Sequence, residues 1–149
     1  MKNEIAKNPL KLIGQINRTF ARVVDAPLRE LGFAIGQLPV LVALKRSGEL
    51  PQSELARIAQ VEQPSMAQLL NRMERDGLVS RVPSPSDKRS HLLSLTPEAA
   101  KRMPKGKAVM DRVCRTALSG FSAEEEAQLL AFLLRVNVNL GNGEPDEDL

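Results

Sequence analysis

The chain has 149 residues, enough for one domain with a sizeable core, and 42% of them are hydrophobic and 26% charged. Aromatic residues are only 3%, with no Trp and no Tyr, which argues against a function built on stacking single-stranded bases. No apolar run reaches the length of a membrane span and no signal-peptide pattern opens the chain, so a cytoplasmic protein with no membrane partner is expected.

The net charge of +3 is unevenly spread. Residues 45–107 hold 12 Lys and Arg against 7 Asp and Glu, whereas residues 122–149 hold one Arg against 7 acidic residues. A basic middle suits contact with phosphates, although a mixed solvated surface has the same charge count. Cys114 is the only cysteine and His91 the only histidine. An intrachain disulfide is therefore impossible, and neither a metal site nor a cofactor is expected.

Asn8-Pro9 is a helix start, with Asn as cap and Pro at the first helical position. Ile13, Ile16, Phe20, Val23 or Val24, Leu28 and Leu31 then recur at helical spacing up to Gly32. A second helix spans Gln37–Arg46, with Pro39 in its first turn and Ser47-Gly48 ending it.

The stretch from Pro51 to Thr96 organises the rest. Gln52–Ala59 carries Leu55, Ile58 and Ala59 on one side. After a tight connection, Pro64–Asp76 carries Met66, Leu69, Leu70 and Met73, and Gly77 stops it. Leu78–Val82 and Leu92–Leu95 are short apolar runs around a proline-flanked charged tip, Ser86-Asp87-Lys88-Arg89-Ser90. Helix, turn, helix and charged hairpin make a winged helix-turn-helix, a shape that presents one helix to a DNA groove.

Thr96-Pro97-Glu98 starts a further helix towards Leu118. Pro104 and Gly106 interrupt its pattern, so a kink or break near Met103–Gly106, a candidate hinge, is expected. Ser119-Gly120 ends it, Ser122 and Glu125 form a capping box, and a last helix follows with Leu129, Leu133, Val136 and Leu140. The acidic end, Gly141–Leu149, is expected to fray.

The fold class is thus mainly α (α+β), with a two-stranded β wing. The terminal helices expose more apolar surface than a lone central unit covers. A second subunit covers it economically, with Ile13, Ile16, Phe20, Leu129, Leu133, Val136 and Leu140 as the dimerisation residues. Residues 1–34 and 107–149 then form the dimerisation part, and residues 35–106 the DNA-binding lobe.

Chemistry points to the second helix of the pair. Gln63, Ser65, Gln68, Arg72 and Arg75 lie largely opposite its apolar face. Gln and Ser hydrogen-bond base edges or phosphates, and Arg72 suits a guanine edge or a phosphate. Taken alone, such a face is also what any solvated surface helix presents. In the hairpin, Arg89 is narrow and planar enough for a minor groove, and Asp87 is placed to hold its guanidinium. Arg81, on the first wing strand, is a lesser phosphate candidate.

Glu54-Leu55-Ala56, Pro64-Ser65, the run from Arg72 to Arg81 (RMERDGLVSR), and Asp87-Lys88-Arg89 followed by Leu93-Ser94-Leu95-Thr96 resemble the MarR family of bacterial winged-helix regulators. The segment LSGFSAEEEAQLL is similar to that family as well. The resemblance implies homodimers on pseudo-palindromic operators, mostly repressors, many of them released by a small aromatic or anionic effector or by cysteine oxidation. It implies double-stranded DNA as partner, with Gln63, Pro64, Ser65, Gln68 and Arg72 in the major groove. Asp87, Lys88 and Arg89 form the wing contacts, and Gln52 and Ser53 touch phosphates.

This chain departs from the family pattern where Pro51 replaces a capping Thr, with Ser53 as a substitute, and where Gln60 replaces a turn glycine. An effector would sit near the first, second and fifth helices, with Arg18, Arg22, Gln37 and Arg102 as candidates. Cys114, between Met110 and Leu118 on a helical stripe, reads as a small core residue. A redox-responsive regulator acting through Cys114 and a winged-helix protein-interaction module are the alternatives; no catalytic constellation is present.

Overall fold

A computed structural model of the chain describes residues 7–87 and 89–143. Lys88 and the acidic tail from residue 144 onward lie outside the described residues. The elements are α1 (Pro9–Glu30), a short 3-10 turn (Ile35–Gln37), α2 (Leu38–Ser47), β1 (Glu49–Pro51), α3 (Gln52–Ala59), α4 (Gln63–Arg75), β2 (Val79–Pro83), β3 (His91–Leu95), α5 (Pro97–Ala117) and α6 (Ala123–Asn139). They form two compact units, Met1–Met110 and Asp111–Leu149, so α5 begins in the first and ends in the second.

The first unit is built around α2, α3, α4 and the sheet. Val40, Leu41 and Leu44 of α2, Leu55 of α3, Met66, Leu70 and Met73 of α4, and Leu78, Val79 and Leu93 of the hairpin are all essentially inaccessible to solvent. The 3.6-residue spacing of the helical members turns one face of each helix inwards, and burying them supplies most of the unit's stability. A winged helix-turn-helix is the result, as the sequence implies.

The sheet has three strands, in the antiparallel order β1-β3-β2. The expected hairpin is present, with Val79 opposite Leu95 and Pro83 opposite His91. The extra strand β1 pairs Glu49 with Ser94 and Pro51 with Leu92. At three residues it is too short for an alternating pattern to announce it.

Asn8 caps α1 by accepting hydrogen bonds from the Leu10 and Lys11 amides at 3.0 and 3.4 Å. Val24 and Leu28 of α1 are fully buried. Gly32, with φ +82°, then turns the chain so that the Phe33 amide donates back to the Leu28 carbonyl at 2.9 Å. Phe33 is thereby placed against α5. A Cβ on Gly106 would lie 3.4 Å from the Phe33 ring.

Of the kink or break expected near Met103–Gly106, the break does not occur. Helix α5 runs unbroken from Pro97 to Ala117 with Pro104 inside it. Proline removes one hydrogen bond, and the turns on either side hold the helix together. Gly106 is buried and gives the Phe33 ring room to lie against the helix backbone; it is a socket and not a stop.

Thr96 joins β3 to α5. Its hydroxyl donates to the Gly77 carbonyl at 2.6 Å and accepts from the Ala99 amide at 3.2 Å. Its own amide donates to the Leu78 carbonyl at 3.1 Å. One side chain thus caps α5 and ties its start to the chain that leaves α4. Replacing Thr96 with Val keeps the shape and removes both side-chain bonds, which is expected to cost about 1–2 kcal/mol in denaturant unfolding.

In the second unit, α6 opens with a reciprocal capping box: the Ser122 hydroxyl accepts from the Glu125 amide, and the Glu125 carboxylate accepts from the Ser122 amide. No described residue beyond Met110 is buried. Cys114 is accordingly exposed in the single chain, contrary to the expected core position. Its apolar stripe continues past the end of the first unit, where no described residue encloses a side chain.

Candidate nucleic-acid interface

Helix α3 starts without a side-chain cap at Pro51. Ser53 makes no such bond either and is exposed, so it does not replace the missing Thr. Arg57 donates to the Glu54 carboxylate within the same helix at 3.2 Å from Nε. That hydrogen bond, with the added charge attraction, holds Glu54 below the usual carboxylate range despite an opposing desolvation contribution. The pair favours folding above the ordinary carboxylate pKa, and that contribution is lost as pH falls through the lowered one.

The turn into α4 keeps its geometry without a glycine. Gln60 adopts the left-handed conformation, φ 55° and ψ 43°, and its amide donates to the Arg57 carbonyl at 3.2 Å. An L-residue carries a penalty of about 1–2 kcal/mol in that region. Gln60→Gly is therefore expected to stabilise the fold by up to about 1 kcal/mol once glycine's larger unfolded-state entropy is subtracted, read as a higher thermal midpoint.

Beyond the turn, α4 splits cleanly. Met66, Leu70 and Met73 are buried, while Gln63, Pro64, Ser65, Gln68, Asn71, Arg72 and Arg75 are exposed. The starts of the two helices are linked, because the Gln52 amide nitrogen donates to the Gln63 side-chain oxygen at 3.1 Å. Gln68 and Arg72 make no side-chain bond among the described residues. Arg75 has only a loose 3.8 Å pairing with Asp76. No large apolar side chain lies on this outer face.

The wing tip differs from expectation in one respect. Asp87 does not hold the Arg89 guanidinium. Its carboxylate accepts from the Arg89 backbone amide at 2.9 Å and from the Ser90 hydroxyl at 3.2 Å. The Ser90 amide donates back to the Asp87 carbonyl at 3.1 Å, and the Ser84 amide to the Ser90 carbonyl at 3.0 Å. A short acidic side chain that bonds the amide two residues on closes a tight local turn. The Arg89 side chain is exposed and has no partner among the described residues. Lys88, the remaining wing candidate, lies outside them.

Arg81 is engaged. Its Nη2 donates to the Asn71 side-chain oxygen at 2.8 Å, and its Nε lies 3.4 Å from the Glu74 carboxylate. Neither partner is evident from the spacing of the sequence. They become neighbours only when β2 packs beside α4.

Of the effector candidates, Gln37 is buried and its side-chain oxygen accepts from the Ala34 amide at 2.9 Å, closing the 3-10 turn. Arg102 donates to the Leu31 carbonyl at 3.0 Å and to the Glu98 carbonyl at 3.2 Å, with its guanidinium 5.7 Å from the centroid of the Phe33 ring. Both side chains bond backbone oxygen or nitrogen in the free chain. Arg18 and Arg22 are exposed on α1.

A buried three-helix unit with a polar outer helix and a charged hairpin beside it defines a winged helix-turn-helix regulator. Residues 31–90 match the MarR family. The uncharacterized HTH-type transcriptional regulator YdgJ of Bacillus subtilis (strain 168) is 30% identical over 111 residues, covering 74% of this chain and 68% of the relative. The fold matches a crystal structure of a cysteine-to-serine mutant of MarR from E. coli complexed with operator DNA (TM-score 0.78, 25% identity, 89% of this chain and 96% of that one). It also matches the transcriptional regulator PA3341 (TM-score 0.73, 33% identity, 89% and 97%). The chain belongs to the MarR family of transcriptional regulators.

Proposed function

We propose that the protein is a sequence-specific regulator that binds double-stranded DNA as a homodimer on a pseudo-palindromic operator and represses until a small aromatic or anionic effector releases it. The observation that carries DNA binding is the outer face of α4. Gln68 and Arg72 stand exposed there and the Arg89 side chain is exposed on the wing, all three without a side-chain partner among the described residues. Gln and Arg offer the hydrogen-bonding patterns that read adenine and guanine edges in a major groove. An arginine without a carboxylate partner suits a minor groove or a phosphate. Support also comes from the E. coli relative, whose structure holds operator DNA.

Pairing is supported by the surface of α6. Leu129, Leu130, Phe132, Leu133, Val138 and Leu140 are each more than a third exposed, and none of the helix is buried in the single chain. Ile16 and Val23 of α1 are also open. A second copy is the partner that such faces fit, with α1 and α6 as the pairing helices and residues 35–106 presenting the DNA lobe. Arg18 and Arg22 are exposed cations of α1 open to an anionic effector.

The test is binding to a duplex enriched from a random-sequence pool by the wild-type protein. Arg89→Ala is expected to weaken binding and to lower the slope of log affinity against log salt by about 0.9 if it removes one phosphate contact. Gln68→Ala is expected to change the preferred sequence, with about 1–3 kcal/mol of discrimination lost at one base pair. Failure of the wild-type protein to enrich any sequence overturns the proposal.

A further inference from the structure

The engagement of Arg81 changes what that residue is for. An arginine on the first wing strand, close to a DNA-reading helix, is on charge alone a phosphate ligand. Here its guanidinium is half-buried between two side chains of α4, 2.8 Å from the oxygen of Asn71 and 3.4 Å from the carboxylate of Glu74. Glu74 balances the positive charge. Asn71, three residues after Gln68 on the exposed face of α4, uses its acceptor oxygen on Arg81. Both are thereby withdrawn from the groups that face outward unbonded.

The geometry is that of a brace. The planar guanidinium presents its donors in a fixed fork, so two partners on one helix fix both the position and the rotation of the strand that carries it. Arg81 lies opposite Leu93 in the β2–β3 ladder. The brace therefore acts on the paired strands that carry the tip bearing Arg89. Resting on the DNA-binding reading above, we propose that Arg81 is a positioning residue. It locks the wing to α4 through Asn71 and Glu74, so that Arg89 and the Gln68–Arg72 face meet DNA as one rigid body.

A lysine cannot reproduce the brace, because an ammonium lacks the fork. A direct phosphate contact would tolerate it. Arg81→Lys is thus expected to behave like Arg81→Gln and not like the wild type.

Two measurements on the full chain test the brace. The first is a double-mutant cycle of Arg81→Gln and Asn71→Ala, read as affinity for the duplex enriched by the wild-type protein. Arg81→Gln is expected to weaken binding about tenfold, and the double change no more than Arg81→Gln alone, because the bond that Asn71→Ala removes is already lost with Arg81. Additive losses would mean that Arg81 and Asn71 touch DNA separately, and would overturn the proposal. So would an Arg81→Lys protein that binds as the wild type does.

The second measurement needs no DNA. Amide hydrogen exchange across residues 79–83 and 91–95 is expected to quicken in Arg81→Gln and in Asn71→Ala, with exchange in α2 unchanged. Unchanged exchange in the hairpin overturns the brace. Failure to enrich a duplex with the wild-type protein sinks the DNA-binding reading instead, and the exchange result then decides the brace by itself.

Discussion

Phe33→Ala is expected to destabilise the protein by about 3–5 kcal/mol, a large share of a small domain's stability. The ring is 2% exposed and packs beside two groups. It lies against the Gly106 position of α5, where the missing side chain leaves no atom to move into the gap. Leu28 of α1 borders the same Gly106 position. The Arg102 guanidinium, 5.7 Å from the ring centroid, loses its aromatic neighbour.

The cavity term is large because both walls are regular helices, which close poorly around a void. Thermal or denaturant unfolding followed by circular dichroism measures the loss. A cost below about 1 kcal/mol would show that the ring is not a structural anchor. Gly106→Leu approaches the same contact from the other side, and overpacking there is expected to cost about 1–3 kcal/mol.

Leu133→Asp on α6 is expected to turn a dimer into a monomer and to reduce operator affinity by a factor of about 100 or more. Leu133 is 41% exposed in the single chain, so the change leaves the fold of one subunit intact. In a two-fold interface every substitution occurs twice, and two carboxylates would be buried without partners. Loss of pairing separates the two recognition helices and removes the effective concentration that the first half-site contact gives the second.

Sedimentation or light scattering measures the mass, and a gel shift measures the affinity. A Leu133→Asp protein that remains dimeric at micromolar concentration would exclude α6 from the interface. A monomer with undiminished affinity would show that one copy suffices for DNA.

Much of the first unit was legible in the sequence, and for a physical reason. Met66, Leu70 and Met73 follow the helical period, so the inner face of α4 announces itself and the outer face follows by subtraction. The caps at Asn8 and Ser122 were equally readable, because a cap bonds amides within three residues of itself.

What sequence spacing hid depends on contacts between distant residues. Gly106 reads as a helix breaker until Phe33, far earlier in the chain, is seen to fill its place. Arg81 reads as a free cation until Asn71 and Glu74 arrive beside it. Asp87 reads as a partner for a guanidinium, yet the amide of Arg89 is nearer and more rigidly placed. Strand β1 escapes because three residues carry no period, and the exposure of Cys114 because helical spacing alone does not say where a neighbouring element stops.

The sheet has a bearing on which surfaces of the protein are open to association. Both of its outer strands end in proline, β1 at Pro51 and β2 at Pro83, and β1 is only three residues long. Proline offers no amide to an incoming strand, and a short edge gives one little to grip. For a molecule that exposes broad apolar helical surface, this matters. Association is discouraged at the strand edges, where strand addition would continue without limit into aggregates, and the helical faces, which can pair and stop, are left open to it.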